Sequence, residues 1–448
     1  MSDPSTSEFP VDWLRQTSPY INTHRGKTFV IWLSGASLNH ANFSHLIHDL
    51  TLLSHLGVRL ILVHGMRPQI DKELAALGIK PKFIDPQHPG TNSATQNSVR
   101  VTGNDVLPAL KIALGNVRCQ FESAFSTGLP NTPMSGARIT LCSGNFVVAQ
   151  PYGVREGIDY GHTGEVRRVR ASHINQLLDL NHVVLLSPVG YSPTGELFNL
   201  HSEDVATQTA IHVEAQKLIF LHDRATGITE GSVHEISSRN LDSEQSLPPE
   251  LQPLKFVIGK SLHACQQGVK RCHIVNSQQD GALLKELFTR DGSGLLIDSG
   301  HYDNIRAACT SDIAGIKVLI NPLIENGMLR DRTEQDLERE VQNFYVAERE
   351  GSVIGCASLT LFGKQAELGC LAVHPDFRAS GKAAEILKHI VKEARKKQCS
   401  GLFALSTRSG DWFQEQGFVP DNIDNVPATR ENMAKHKKRG SKLFTLEL

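Results

Sequence analysis

The sequence predicts an α/β chain of two unlike units. The first is an open, mainly parallel αβα sandwich, and the second is an α+β unit with a mixed sheet. Three observations predict this. Short continuous apolar runs alternate with helical stretches through the first part of the chain. A polar stretch at residues 298–303 interrupts that rhythm. After it comes a hairpin pattern, then a strand leading through a loop into an amphipathic helix. At about 150 residues per domain, 448 residues leave room for two or three units.

The elements follow in order. An opening arm places Val11, Leu14 and Ile21 at helical spacing. The run at 29–33 reads as a strand and passes into Ser34-Gly35. Phe43, Leu46, Ile47, Leu50 and Leu53 then share one helix face, and Gly57 ends that helix. The runs at 60–63, 183–186, 218–221 and 272–275 read as strands buried on both faces. Strands separated by helices imply a parallel sheet with ligands at its carboxyl edge. Past residue 303, a short strand at 305–308 precedes a helix capped by Thr310-Ser311-Asp312. A hairpin turns at 349–351. A strand at 366–373 leads through a loop to a helix carrying Ala383, Ile386, Leu387, Ile390 and Ala394.

Composition excludes several classes. Lysine plus arginine (46) against aspartate plus glutamate (47) leaves a net charge of -1, which argues against a nucleic-acid surface. No apolar stretch reaches membrane-spanning length and the polar start is no signal peptide, so the expectation is a cytoplasmic protein off the membrane. Eight scattered cysteines and 20 dispersed histidines form no metal-ligand pattern, so no metal is expected.

Residues 30–37, 62–68, 100–102, 199–206 and 217–221 resemble the amino-acid kinase family over about residues 21–298. That family carries a lysine and paired glycines after its first strand and a triple glycine after its second. Here Trp32, Ser34-Gly35 and Gly65-Met66-Arg67 stand there, and Glu203 replaces an aspartate. Without the cation and the close-approach glycines, little is left to stabilise phosphoryl transfer, so a lost kinase activity is expected. The resemblance to arginine-sensitive members implies an L-arginine site at Tyr20, Lys217, His273, Glu286, Gly292 and Gly294. From the spacing alone, the preferred reading is a solvated helix face at Lys285 and Glu286 and a satisfied core histidine at His273.

In the second unit Arg378-x-x-Gly381-x-Ala383 opens a helix after a strand, and Trp412-Phe413-x-x-x-Gly417-Phe418 follows. Backbone N–H groups at such a helix start suit a diphosphate, and Arg378 and Lys382 would add positive charge. The block resembles a GCN5-related N-acetyltransferase domain. The resemblance implies acetyl-CoA as co-substrate, held by Cys370, Leu371, Ala372, Val373, Arg378, Ala379, Ser380, Gly381, Lys382 and Ala383. Glu367 would be the base that frees the acceptor amine, with Ser406 or a water as proton donor to the departing thiolate, since no tyrosine follows Tyr345. The family's histidine before the Trp-Phe pair is Asp411 here.

An amino-acid kinase unit fused to this acetyltransferase resembles the bacterial N-acetylglutamate synthase family along nearly the whole chain. The division would be an arm at 1–20, a regulatory unit at 21–298 and the transferase at 299–448. The resemblance implies acetylation of L-glutamate at the start of arginine biosynthesis, feedback inhibition by L-arginine, and a homo-oligomer, with a hexameric ring as the candidate form. A dicarboxylate acceptor calls for guanidinium groups, and Arg332, Arg408 and Arg439 are the candidates. The alternatives are a bifunctional enzyme that also phosphorylates N-acetylglutamate and a non-catalytic arginine-binding regulator.

Overall fold

The apolar runs form the centre of an eight-stranded sheet. Its strands are β1 (Thr28–Leu33), β2 (Arg59–His64), β3 (Leu141–Ser143), β4 (Val183–Leu186), β5 (Lys217–His222), β6 (His234–Ser237), β7 (Arg271–Asn276) and β8 (Leu295–Asp298). They lie in the order β6-β8-β7-β5-β1-β2-β4-β3. Every neighbouring pair is parallel except β7 and β8. The computed structural model describes residues 11–85, 88–92, 98–128, 134–225, 234–237, 247–289, 292–298, 304–349, 352–375, 377, 381–427 and 440–448. The chain divides into two units, Met1–Gly300 and His301–Leu448.

Alternation along the strands makes two cores. Phe29, Ile31 and Leu33 of β1 point to the face covered by α2 (Phe43–His55), α3 (Arg67–Ala76), α4 (Leu107–Phe125) and α8 (Ala282–Phe288). Val30 and Trp32 point to the other face, under α5 (Ala171–Asp179), α6 (Ser202–His212) and α7 (Lys255–Gln266). Helices on both sides explain why these strands are apolar throughout rather than alternating. The opening helix α1 (Val11–His24) runs past the predicted arm and through Pro19. His24 ties its end to α8, with Nε2 2.9 Å from the Leu287 carbonyl oxygen.

The second unit is a seven-stranded sheet of β9 (Asn304–Ala307), β10 (Phe344–Arg349), β11 (Ser352–Phe362), β12 (Gln365–Val373), β13 (Gly401–Ser406), β14 (Val419–Asp421) and β15 (Lys442–Glu447). The order is β9-β10-β11-β12-β13-β15-β14. Only β12 and β13 pair in parallel, which makes the sheet mixed. Helix α11 (Lys382–Lys396) covers one face through Ile386, Leu387, Ile390 and Ala394. Helices α9 (Ile313–Glu325) and α10 (Glu334–Glu340) cover the other through Ile313, Ile316, Leu319, Ile320 and Leu337.

One irregularity in this sheet shapes the site. On β12, Ala366 and Leu368 face the α11 core, but so do Leu371 and Val373, while Cys370 and Ala372 face the opposite core. The alternation has slipped by one residue. The pairing shows how: Gly369 sits opposite Ser358 and Ala372 opposite Cys356, so two residues of β12 oppose Ala357 alone. Cys370 takes φ 48° to make room for the extra residue. Past Leu368 and Ala404, β12 and β13 no longer pair, and the two strands diverge.

Candidate active site

The divergence opens a cavity of about 640 Å³. One wall is Glu367–Val373 of β12 and the other is Leu405–Ser409, at and just past the end of β13. Arg330, Arg332, Ala383 and Trp412 also border it. Glu367 is half-buried on the last paired segment of β12, opposite Thr360 and Phe403. The main chain of Cys370 to Ala372 lies just beyond, where the β13 ladder has ended.

Ser406 lies at the end of β13. Its Oγ accepts the N–H groups of Arg408 (3.3 Å) and Ser409 (2.9 Å). These bonds cap the strand end, as a purely structural serine would. They also occupy acceptor positions only, so the hydroxyl hydrogen can still be donated.

Two guanidinium groups project onto the same cavity from the segment between α9 and α10. The Arg330 Nη2 donates to Glu340 Oε1 at 2.7 Å and the Arg332 Nε to Glu340 Oε2 at 3.1 Å. Burial pushes the Cys370 thiol pKa up, while nearby Arg332 and Arg330 pull it the other way. Arg408 borders this cavity and an adjoining one that also includes Asp411 and Lys442. Arg330 and Glu340 were not candidates from sequence. The only local signal was Thr333-x-x-Asp336, which forms the capping box that starts α10 and fixes the loop before it.

At the start of α11, Gly381 is the N-cap at φ 75°, and Ala383 borders the cavity. Lys382 is the first residue of the helix, its side chain is 9% exposed, and its ammonium pairs with Glu385 at 3.1 Å. Arg378, Ala379, Ser380 and Arg439 lie outside the described residues.

In the first unit, three of the residues expected to bind arginine form a buried chain. Lys217 Nζ is 3.2 Å from His273 Nε2, and His273 Nδ1 is 2.6 Å from Glu286 Oε1. Glu286 Oε2 accepts the N–H groups of Ser293 and Gly294, each at 2.7 Å. Burial alone would raise the Glu286 pKa. The His273 contact and the two N–H groups outweigh it and hold the carboxyl below its usual range. A β-carbon at Gly294 would stand 2.6 Å from the Ile274 carbonyl oxygen, so the close approach of that loop requires glycine. Tyr20 packs against the core on the α8 side of the sheet.

The kinase-like cleft at the carboxyl edge of β1 and β2 is bordered by Trp32, Gly35, Gly65, Arg67, Arg100 and Glu203. Trp32 fills the place at the end of β1, packed on Phe220 and His222 with ring centroids 5.6 Å away in each case. Arg67 and Arg100 lie against the Phe83 ring, 4.7 and 4.4 Å from its centroid, and Arg100 also pairs with Asp71.

Comparison with known proteins matches these two halves separately and together. Residues 27–276 match the amino acid kinase family, and residues 321–418 match the acetyltransferase (GNAT) family. The amino-acid acetyltransferase of Pseudomonas syringae pv. tomato is 44% identical over 441 residues, covering 97% of this chain and 98% of the relative. The chain belongs to the amino-acid acetyltransferase family. The enzyme of the same description from Pseudomonas aeruginosa is 43% identical over 445 residues, covering 98% and 99%. Among solved structures, the N-acetylglutamate synthase from Neisseria gonorrhoeae complexed with coenzyme A and L-arginine is 32% identical, with a TM-score of 0.77 over 98% of this chain and all of that one. The same enzyme complexed with coenzyme A and N-acetyl-glutamate is 33% identical, with a TM-score of 0.59 over the same shares. In this amino-acid acetyltransferase the match to the acetyltransferase (GNAT) family falls in the second unit, which also holds the cavity beside β12 and β13. Among the described residues, no group of histidine, cysteine, aspartate and glutamate could hold a metal ion, and no helix is long and apolar enough to cross a membrane.

Proposed function

We propose that this enzyme moves the acetyl group of acetyl-CoA to the amine of L-glutamate, giving N-acetyl-L-glutamate and CoA at the start of arginine biosynthesis, under feedback inhibition by L-arginine. The observation that carries this reading is one cavity bordered by a half-buried carboxylate, a diverging strand pair and three arginines. A relative of similar fold along nearly the whole chain has been crystallised with coenzyme A and, in separate crystals, with L-arginine and with N-acetyl-glutamate.

The thioester arm enters between β12 and β13, and its diphosphate rests on the start of α11 at Gly381 and Ala383, with Arg378 supplying charge. The helix start offers N–H groups and the divergence offers a slot, which together suit a long, anionic carrier. Glu367 takes a proton from the glutamate ammonium, directly or through a water, because an ammonium has no lone pair with which to attack. As the amine adds to the thioester carbon, the carbonyl oxygen gains negative charge. Main-chain N–H groups at Cys370, Leu371 and Ala372 stabilise it, and Val373 continues the wall along the carrier. Collapse breaks the carbon–sulfur bond, and Ser406 donates a hydrogen bond or proton to the thiolate. Arg330, Arg332, Arg408 and Arg439 read the two carboxylates of the acceptor.

The first unit is the regulatory one, within the expected division at 1–20, 21–298 and 299–448. L-arginine is read by Tyr20, Lys217, His273, Glu286, Gly292 and Gly294. Glu286 has one acceptor position left after its three present bonds, on Oε1, and a guanidinium N–H can take it. The enzyme works in the cytoplasm as a homo-oligomer. The test is a CoA-release assay over the twenty amino acids, each with and without millimolar arginine. Release with glutamate alone, lowered by arginine, supports the proposal. Equal release with other acceptors, or rates indifferent to arginine, would overturn the corresponding half.

A further inference from the structure

We infer that Glu340 is a positioning residue of the transferase cavity, holding Arg330 and Arg332 as a matched pair of carboxylate readers and so favouring a dicarboxylic amino acid over a neutral one. The inference rests on the proposal above that the acceptor is glutamate.

Arg330 and Arg332 carry like charges on the same short segment, and both border the cavity. Left alone, two flexible guanidinium side chains would repel each other and sample many rotamers, which any ligand would have to restrict on binding. One carboxylate removes both problems. Its Oε1 takes Arg330 through Nη2, and its Oε2 takes Arg332 through Nε. Among the described residues, that leaves both terminal nitrogens of Arg332 and the Nε and Nη1 of Arg330 without a protein partner. The three groups together keep one net positive charge toward the cavity.

Glu340 itself is fixed. It is the last residue of α10, whose first turn is held by the Thr333–Asp336 capping box and whose Leu337 is buried, 1% exposed, in the core below. The carboxylate and Arg330 are about one-third exposed, so the ion pairs add little to folding. Their consequence is orientation.

The experiment uses the full-length enzyme with acetyl-CoA, comparing L-glutamate with L-glutamine as acceptor. Glu340→Gln keeps the shape and removes the charge. The expected result is a rise of about tenfold in the KM for glutamate, a similar fall in the preference for glutamate over glutamine, and no change in the KM for acetyl-CoA. kcat is expected to move by less than about threefold. In an Arg330→Met/Arg332→Met background the same substitution should add little, because Glu340 acts through those two arginines. A role in folding alone would instead move both substrates' constants and multiply with the double arginine substitution.

An unchanged glutamate KM and selectivity in Glu340→Gln, or multiplying effects, would overturn the inference while leaving the glutamate proposal intact. Glu340→Asp, too short to reach both arginines, is the second variant, and failure of both variants to fold would assign Glu340 to structure and also overturn it. A wild-type enzyme inactive on glutamate would remove the proposal and this inference together.

Discussion

Gly292 lies against Glu286 so closely that a β-carbon at 292 would stand 2.6 Å from Oε2. The glycine also takes φ 64°, a conformation that costs other residues roughly 1–2 kcal/mol. Gly292→Ala should therefore push Glu286 off the Ser293 and Gly294 N–H groups. The expected outcome is an arginine inhibition constant raised by roughly tenfold or more. The rate without arginine should be retained. Inhibition curves with and without the substitution check it, and an unmoved midpoint would separate Glu286 from arginine binding.

Glu367 makes a sharper case. Glu367→Gln keeps the side chain's size but cannot accept the amine's proton. Its turnover should fall by about 10²–10⁴-fold, the usual contribution of a general base. The KM for acetyl-CoA should hold, since in the proposed function the carrier is held along β12 beyond residue 367 and on α11. The remaining rate should also climb at high pH, as the fraction of free amine rises without help. Turnover indifferent to the substitution across the pH range would exclude Glu367 as the base.

The first unit should lose stability in acid through His64. The ring is fully buried, with Nε2 2.9 Å from Ser187 Oγ and Nδ1 3.2 Å from the Gly65 carbonyl oxygen. Burial lowers its pKa from 6.5 to about 4. The unfolded chain thus binds a proton below 6.5 that the folded ring refuses. Stability linked to His64 is complete above pH 6.5 and is lost as pH falls toward 4, up to about 3 kcal/mol. Asp49, raised to about 7 chiefly by burial and next by Asp280, works in the opposite direction, so the difference between wild type and His64→Gln is the quantity to follow. Melting curves between pH 7 and 4 should converge as pH falls. Parallel curves would mean that His64 titrates normally.

How much of this was legible in the sequence follows from what each feature depends on. The runs at 183–186 and 218–221 are apolar throughout because they are covered on both faces, and such runs can be read without knowing their neighbours. Glu367 could be placed on a strand because the segment 366–373 stops at His374-Pro375 and leads into a helix. The slip at Cys370 could not be read, because it exists only in the pairing of β12 with β11, and nothing in Gly369-Cys370-Leu371 announces a positive φ at the cysteine. Arg330 and Glu340 are ten residues apart among many charged neighbours, where a solvated helix face is the ordinary expectation. For Lys382 the sequence gives the position beside the anion loop but not the contact with Glu385.

That slip at Cys370 offers the last prediction. The left-handed backbone lets two residues of β12 stand opposite Ala357, and the strand beyond it no longer pairs with β13 and borders the cavity. A β-branched side chain resists that conformation most, so Cys370→Val should favour a regular ladder and narrow the slot. Cys370→Gly accepts the conformation freely and removes only a small buried side chain. If the bulge aims the N–H groups at the thioester oxygen, valine should lower kcat far more than glycine does, even where both variants lose similar stability. If the thiol itself were the contributing group, the two substitutions would cost the same turnover. Parallel measurement of kcat and melting temperature for the pair decides between backbone and side chain.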